Sequence, residues 1–191
     1  MPEYSSRRLI EYPAPLPARW PGLTDRELAW CLRSQRAVRH RAIIALFVGV
    51  SRLGDGAFWY GLMVALLLAQ GATAAPAVAR MLLAGAVGLA AYKGLKARTT
   101  RSRPCAHSRL IQPRAAPLDE YSFPSGHTLH AVSFALIATH HYPALLWLLT
   151  PFAILVALSR VVLGLHYPSD VLAGALLGAA VAFLALQWPF I

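Results

Sequence analysis

The chain has few cysteines and few acidic residues, and both shortages exclude classes of protein. Its 191 residues include only 2 cysteines, Cys31 and Cys105, which are too few for a disulfide framework and lack metal-site spacing. No cluster of carboxylates, or of cysteine and histidine, predicts a metal site either, so we expect neither a metal nor a cofactor. The 8 acidic residues face 18 basic ones, which gives a formal net charge of +10.

This basic excess has three interpretations: nucleic-acid binding, attraction to anionic lipid headgroups, and the signalling of membrane topology. The basic residues are concentrated in residues 1–52 and 93–114, away from the long apolar stretches. No basic stretch is interleaved with aromatic residues in a recognisable nucleic-acid-binding module, so we expect no nucleic-acid partner. Arginines near the ends of membrane helices account for most of this charge.

Charged residues are also scarce, at 14% of the chain, whereas hydrophobic residues make up 57% and the mean hydropathy is +0.50. A soluble domain of this size lacks the polar surface to cover such a core. Five apolar stretches are candidate membrane spans, at about residues 57–70, 76–95, 127–139, 144–163 and 171–190. The first and third are short for a hydrocarbon core about 30 Å thick. We predict an all-α, polytopic transmembrane bundle of about five spans.

The N-terminal region differs from this apolar part. Residues 1–23 contain 5 prolines and no apolar stretch of the kind that signal peptides carry, so we expect an irregular tail and no signal peptide. Thr24 to Glu27 resembles a helix N-cap with a capping box, and the Arg-rich amphipathic helix that it opens is expected to lie in the membrane interface. Residues 51–56 predict a turn. We expect residues 24–191 to form a single membrane domain.

Three spaced clusters carry the residues with the most chemistry: Lys96-x6-Arg103-Pro104, Pro124-Ser125-Gly126-His127 and Ser159-Arg160-x5-His166-x3-Asp170. The polar stretch 97–124 leaves and re-enters one face of the predicted bundle, and the hairpin 127–163 returns the chain to that face. All three clusters are therefore expected at the same end. Together they supply three cations, two histidines and one carboxylate, which are the groups that phosphoryl transfer through a covalent histidine requires.

Each residue type then has a candidate role in such a reaction. Asp170 follows His166 by four residues, about one helical turn, and can fix the tautomer of this ring. His166 is the candidate nucleophile, because a fixed tautomer leaves its other nitrogen free to attack phosphorus. The cations Lys96, Arg103 and Arg160 are candidate ligands of the phosphate oxygens.

The second cluster supplies a candidate anion site and a candidate acid. Ser125 and Gly126 open the third predicted span, and the N–H groups at a helix N-terminus bind anions. Glycine also lets a phosphate group approach the backbone closely. His127 is then placed to protonate the leaving oxygen as a general acid.

In order and spacing, these motifs resemble the signature of the type 2 phosphatidic acid phosphatase superfamily, and every position of that signature is matched. The resemblance runs from about residue 54 to the C-terminus. It implies a membrane phosphatase in which His127 is the general acid and His166 the nucleophile, in agreement with the roles argued above. Members often have six spans, so the prediction of five plus an interfacial helix leaves one family span missing or replaced.

The resemblance implies a metal-independent phosphatase of a lipid phosphate monoester or diphosphate. Candidate substrates are phosphatidic acid, phosphatidylglycerophosphate and polyprenyl diphosphates, and the bilayer itself is the expected partner. One alternative is a catalytically silent membrane scaffold or transporter with the same fold, in which a nucleophile or phosphate ligand should be lost; none is lost here. The other is a vanadate-dependent haloperoxidase, which holds vanadate in a similar constellation.

The distribution of charge also predicts the location of the protein. We expect an integral membrane protein of the bacterial inner (cytoplasmic) membrane. With the catalytic end on one side, nearly all arginines and lysines lie on that side and essentially Arg80 lies opposite. The positive-inside rule then favours the cytoplasm for the catalytic end, whereas the family resemblance leaves the opposite face open, because many bacterial members work on the outer leaflet of the inner membrane. The sequence indicates no oligomeric state.

Overall fold

The computed structural model describes residues 21–117 and 119–189, and the regular structure within these ranges is helical. The predicted all-α class is therefore confirmed. The α-helices in the described ranges are α1 Pro21–Ala37, α2 Arg41–Arg52, α3 Phe58–Gln70, α4 Ala75–Thr99, α5 Pro104–His107, α6 Gly126–His141, α7 Leu146–Val162 and α8 Pro168–Gln187. Short 3-10 turns at Gly71–Ala74 and Pro143–Leu145 join α3 to α4 and α6 to α7.

Three helical stretches among the described residues are long and apolar enough to cross a membrane: Arg41–Thr99, Pro143–Val162 and Pro168–Gln187. The first stretch holds α2, α3 and α4 and reverses near Gly71, where φ is +61°. Helix α6 has 16 residues, which is shorter than the roughly 20 residues of a full span. Helices thus occur at all five predicted positions, and the number that cross the bilayer stays a prediction.

The predicted turn at residues 51–56 is wrong. Helix α2 continues into a π-helical segment, Leu53–Ala57, which leads directly into α3. Gly56 has φ +133°, a value that glycine adopts without a steric penalty. Gly54 packs so closely on α7 that an added Cβ would lie 2.8 Å from a methyl carbon of Val156. Two glycines that predict a turn from sequence instead allow an irregular helical segment to pack inside the bundle.

Helix α1 is present but begins at Pro21, three residues before the predicted N-cap. The predicted capping box is therefore wrong, and Glu27 instead accepts a hydrogen bond from the backbone N–H of Ser169, at 2.7 Å. The buried residues of α1 are Thr24, Glu27, Cys31 and Gln35. Their spacing of three and four residues puts them on one helix face. Residues 1–20, most of the predicted tail, lie outside the described residues.

The buried face of α1 is polar because it packs on loops that end the other helices. Gln35 donates to the backbone oxygen of Gln112 at 2.8 Å, and the Cys31 thiol lies 3.8 Å from the backbone oxygen of His166. Trp30, on the same helix, is 57% exposed, as expected for an aromatic side chain at a membrane interface. Helix α1 therefore covers the end of the bundle that holds the third motif.

Helix α6 lies at the centre of the bundle and makes its closest contact with α8. A Cβ added at Gly178 would lie 2.4 Å from the backbone oxygen of Leu129, and one added at Gly174 would lie 2.5 Å from that of Ser125. The two backbones therefore touch, which is how small residues at four-residue spacing pack helices in lipid. This contact holds the N-termini of α6 and α8 side by side, where the backbone N–H of Ser125 donates to the backbone oxygen of Asp170 at 3.0 Å.

Candidate active site

The three motif clusters meet at one end of the bundle, as the order of the predicted spans indicates. Lys96 lies near the C-terminal end of α4, His127 in the first turn of α6, and Arg160 near the end of α7. His166 lies in the loop between α7 and α8, and Asp170 in the first turn of α8. The predicted site residues, Ser125, Gly126 and Arg103 included, all belong to this end.

His166 and Arg103 form the centre of the site. Both side chains are buried, and Nη1 of Arg103 lies 3.2 Å from Nε2 of His166. Because a guanidinium group can only donate hydrogen bonds, Nε2 is the acceptor and the neutral ring carries its proton on Nδ1. The same Nη1 donates to the backbone oxygen of Leu165 at 2.7 Å. Arg103 therefore fixes both the ring and the loop before α8.

The surroundings of His166 keep its ring neutral. Burial lowers the pKa of His166 well below its usual value, and the charges of Arg103, Arg160 and Lys96 lower this pKa further. A neutral imidazole with a lone pair on Nε2 is the form that can attack phosphorus.

Asp170 is anchored by groups other than His166. Its Oδ2 accepts a hydrogen bond from the backbone N–H of Tyr167 at 2.8 Å, and its Oδ1 accepts one from Nη1 of Arg101 at 2.6 Å. The distance from Oδ2 to Nδ1 of His166 is 3.6 Å, which is longer than a hydrogen bond. His166 precedes the first turn of α8, so the two residues are not one turn apart on a helix.

Arg101 is a site residue that sequence reasoning missed. Its Nη1 contacts Asp170, and its Nη2 donates to Glu27 of α1 at 2.6 Å. Arg101 thus lies between two buried carboxylates. Burial disfavours its charged form, but the two carboxylates stabilise that form more strongly, so the pKa of Arg101 is raised. Arg101 stands two positions before Arg103 in a loop with several arginines, and nothing in that pattern distinguishes it.

The carboxylate of Asp119 forms ion pairs with two of the three motif cations, Lys96 and Arg103. Nζ of Lys96 donates to both oxygens of Asp119 at 2.7 Å and to the backbone oxygen of Tyr121 at 3.0 Å. Nη2 of Arg103 donates to Asp119 Oδ1 at 2.6 Å. Burial alone would raise the pKa of Asp119, but hydrogen bonding to Lys96 and the charges of Lys96 and Arg103 outweigh it and lower this pKa. Asp119 is therefore ionised at neutral pH.

Arg160 and His127 are both held by the α2–α3 junction. Nη1 of Arg160 donates to the hydroxyl of Ser51, and no hydrogen-bond partner for its buried Nε occurs among the described residues. Nε2 of His127 lies 3.4 Å from Oδ1 of Asp55. Neither Ser51 nor Asp55 belongs to a motif, and the stretch that contains them reads as a turn in the sequence.

Helix α6 begins at Gly126 with Ser125 as its N-cap residue, as predicted. The Ser125 hydroxyl lies 3.0 Å from that of Thr128, within hydrogen-bond distance. The first N–H groups of any helix have no partner within the helix and carry its positive dipole end. A Cβ on Gly126 would lie 3.2 Å from the ring of Tyr92. Glycine therefore leaves space between this ring and the N-terminus of α6.

One cavity of about 540 Å³ joins these groups. Its polar end is lined by Lys96, Arg103, His127, Arg160 and His166, and its apolar end by Met63, Leu82, Leu89 and Phe134. The apolar lining comes from α3, α4 and α6. Among the described residues, no group of three or more histidine, cysteine, aspartate or glutamate side chains is placed to hold a metal ion.

Known phosphatases are similar to this chain in sequence and in structure. A 79-residue stretch is 43% identical to an undecaprenyl-diphosphatase of Sulfolobus acidocaldarius, and it covers 41% of this chain and 37% of that protein. The match therefore spans well under half of that relative. The structure of a transmembrane PAP2-type phosphatidylglycerolphosphate phosphatase from Bacillus subtilis is similar, with a TM-score of 0.67, 25% identity and 91% of each chain covered.

A bacterial vanadium-dependent iodoperoxidase shares the fold, with a TM-score of 0.73, 15% identity, and coverage of 92% of this chain and 52% of that one. At this identity the likeness shows the fold alone. A profile of the PAP2 superfamily matches residues 73–191, which is more than half of the chain and includes all three motif clusters. With its apolar helices and its complete set of motifs, this integral membrane protein belongs to the PAP2, or type 2 phosphatidic acid phosphatase, superfamily.

Proposed function

We propose that the protein is a metal-independent phosphatase that hydrolyses a lipid phosphate monoester or diphosphate through a phosphohistidine. The observation that carries this proposal is the position of His166, whose Nε2 lies 3.2 Å from Arg103 in a cavity that also holds Lys96 and Arg160. A nucleophilic nitrogen beside several cations is what phosphoryl transfer needs, since positive charge stabilises the oxygens of the transition state.

In the first step, the lone pair on His166 Nε2 attacks phosphorus, an N–P bond forms, and the bond from phosphorus to the leaving oxygen breaks. Lys96, Arg103, Arg160 and the N-terminus of α6 at Ser125 and Gly126 hold the remaining phosphate oxygens. His127 gives a proton to the leaving oxygen. In the second step, water attacks phosphorus, a P–O bond forms while the N–P bond to His166 breaks, one proton of the water passes to His127, and inorganic phosphate leaves.

Asp170 is the residue that we propose to orient His166. Its carboxylate is fixed by Arg101 and by the N–H of Tyr167, so it cannot rotate away from the ring. The distance to Nδ1 is 3.6 Å, and catalytic hydrogen bonds often shorten when the substrate binds.

The mixed polar and apolar lining of the cavity supports a lipid substrate. Its polar end holds the cations, while its other end is lined by apolar side chains such as Met63, Leu82 and Leu89. A headgroup phosphate fits the first end and an acyl or prenyl chain the second, because burial of apolar surface favours that arrangement. The similar proteins named above, an undecaprenyl-diphosphatase and a phosphatidylglycerolphosphate phosphatase, support polyprenyl diphosphates and phosphatidylglycerophosphate as candidates beside phosphatidic acid.

Phosphate release tests the proposal directly. We expect the purified protein in detergent with EDTA to release inorganic phosphate from at least one of three lipids: phosphatidic acid, phosphatidylglycerophosphate and a polyprenyl diphosphate. The lipid with the highest kcat/KM identifies the substrate class. Heat-denatured protein gives the background rate. If the folded protein releases no phosphate above this rate from any of the three lipids, the proposal is contradicted and a catalytically silent scaffold is favoured.

The ion pairs of Asp119 predict that this residue competes with phosphate. All three N–H groups of Lys96 are used by Asp119 and Tyr121, so a phosphate oxygen binds Lys96 only after the carboxylate leaves. Asp119→Asn removes the competing charge and should lower the inhibition constant of inorganic vanadate by about 10-fold, equivalent to about 1.4 kcal/mol. Because the pKa of Asp119 is lowered, this competition should persist from neutral pH down to the usual carboxyl range.

Vanadate inhibition of phosphate release measures this effect, and Glu120→Gln is the matched control. Glu120 is the adjacent exposed carboxylate, so its loss changes the local charge equally without touching the cations. If Asp119 instead holds Lys96 and Arg103 in place, its substitution should raise the inhibition constant and lower kcat, which is the opposite result.

We also propose that helices α1–α8 form one membrane domain in a bacterial inner membrane, with the catalytic end in the cytoplasm. Arg98, Arg101 and Arg114 lie at the catalytic end, whereas Arg80 lies near the start of α4 at the other end. The positive-inside rule favours a cytoplasmic location for the more basic end. Five spans then put a reporter fused after Ile191 outside the cytoplasm, and a cytoplasmic reporter signal would contradict this orientation.

A further inference from the structure

Asp55 is a carboxylate of the catalytic cavity that belongs to none of the three motifs. It lies in the π-helical segment Leu53–Ala57 and lines the same cavity as His127 and His166. Its Oδ1 is 3.4 Å from Nε2 of His127. The neighbouring Gly54 is packed against Val156 of α7, so the backbone that carries Asp55 is held at a fixed distance from the site.

Three other acidic side chains described at this end are already paired with cations. Asp119 is bound to Lys96 and Arg103, while Asp170 and Glu27 share Arg101. Asp55 is the carboxylate within 4 Å of His127 in the part of the chain that the structure describes. The charge of Asp55 also interacts with that of Arg160, but its contact with a proton-transferring group is the one with His127.

His127 needs a counter charge if it is to carry a proton. Arg103 and Arg160 line the same cavity, and their positive charges repel a protonated imidazole. A carboxylate beside one ring nitrogen offsets that repulsion and also fixes which nitrogen faces the substrate. The distance of 3.4 Å is long for a charge-assisted hydrogen bond, but such contacts often tighten only when the substrate is bound.

We propose that Asp55 is the positioning residue of His127, a role that rests on the phosphatase function proposed above. Asp55 accepts a hydrogen bond from Nε2–H of His127, so that Nδ1 carries the proton that is transferred. When the bond from phosphorus to oxygen breaks, this proton passes from Nδ1 to the leaving oxygen and His127 becomes neutral. When water later attacks the phosphohistidine, Nδ1 takes one proton from that water and the imidazolium next to Asp55 is restored.

Leaving groups of different basicity separate this role from a structural one. An alkoxide released from phosphatidic acid must be protonated as it leaves, whereas the nitrophenolate released from para-nitrophenyl phosphate is stable without a proton. Asp55→Asn in the full chain should lower kcat/KM for phosphatidic acid by about 100-fold, the lower range for loss of acid catalysis. For the aryl phosphate, kcat/KM should change less than about threefold, because it reports formation of the phosphohistidine and not its hydrolysis, and this leaving group needs no acid.

Four further variants complete the design. His127→Gln should show the same selectivity between the two substrates, and the double variant Asp55→Asn/His127→Gln should be no slower than His127→Gln alone. Asp55→Glu should restore part of the rate on phosphatidic acid, because it restores the carboxylate. Asp25→Asn removes an exposed carboxylate of α1 and should leave both rates unchanged.

A readout without turnover keeps this inference separate from the proposed function. In protein labelled with 15N-histidine, the nitrogen chemical shifts of His127, assigned by their loss in His127→Gln, should move in Asp55→Asn from those of an imidazolium, with both nitrogens protonated, towards those of a neutral ring. Unchanged nitrogen shifts, or equal losses on both substrates, overturn the role of Asp55. Absence of phosphate release from every lipid by the unmodified protein overturns the proposed function, whatever the nitrogen shifts show.

Discussion

Replacing His166 with alanine is expected to lower kcat for the lipid substrate by about 10⁴-fold or more, the size of loss seen when a catalytic nucleophile is removed. The reason is that Nε2 of His166 forms the covalent bond to phosphorus, and among residues 21–117 and 119–189 no second histidine holds the same position against Arg103. His127 lies in the same cavity but is placed beside Asp55. Phosphate release at saturating substrate measures the loss.

The covalent intermediate gives an independent measurement of the same prediction. The unmodified protein, mixed with 32P-labelled substrate and quenched in alkali, should retain label in the acid-labile form that phosphohistidine takes. His166→Ala should retain none. His140→Ala is the matched control, since His140 is exposed at the opposite end of α6, and it should keep both the label and the rate.

Burial of His166 means that a loss of activity must be separated from a loss of fold. The ring is 1% exposed, and removal of a buried ring leaves a cavity. His166→Gln fills more of that space without supplying a nucleophile, so it should unfold near the temperature of the unmodified protein and still be inactive. Retention of more than a trace of activity in either folded variant refutes the assignment of His166 as nucleophile.

The convergence of the three motifs could be predicted from sequence because helical spans alternate in direction. Once residues 127–139 and 144–163 are taken as a hairpin, Lys96, Gly126 and His166 must share one end. Local signals also placed two helix starts well: Gly126 opens α6, and Pro168 lies in the first turn of α8, where proline is favoured. Motif spacing and span topology therefore carry most of the catalytic constellation.

The partners of the motif residues could not be predicted in this way. Asp55, Arg101 and Asp119 each contact a motif residue from a distant segment, and a single contact of this kind leaves no periodic pattern in the sequence. Asp119 follows a loop rich in proline and arginine, where its charge predicts only exposure. Its actual position depends on how the loop folds back over Lys96.

Two errors came from local rules that tertiary packing overrides. Two glycines so close together usually predict a turn, but here Gly54 and Gly56 allow a π-helical segment to pack on α7. The pattern from Thr24 to Glu27 predicts a capping box at the start of α1, yet Glu27 and Gln35 are buried on the face of α1 that packs on other parts of the chain. They satisfy backbone groups of Ser169 and Gln112, groups that only the folded end of the bundle brings together.

Arg103→Ala is the substitution with the second largest expected effect, a loss of about 10³-fold in kcat/KM, the upper range for removal of one transition-state donor. Arg103 is the residue that touches the nucleophile, the loop before α8 through Leu165, and the carboxylate of Asp119. Its removal therefore withdraws charge from the phosphate and also frees the His166 ring. Phosphate release and vanadate inhibition measure the two effects separately, since vanadate binding does not require a leaving group.

Arg103→Lys separates charge from geometry. Lysine keeps the positive charge, but its single ammonium group cannot replace the fork that contacts Leu165 and His166 at once. We expect kcat to fall by about 10²-fold while vanadate still binds, because the charge remains and the ring is no longer held. Arg109→Ala, which removes an exposed arginine six residues along the same segment, should leave both measurements unchanged. If Arg103→Lys were fully active, a positive charge at this position would be enough for catalysis. The contact between Arg103 and His166 would then have no part in positioning the nucleophile.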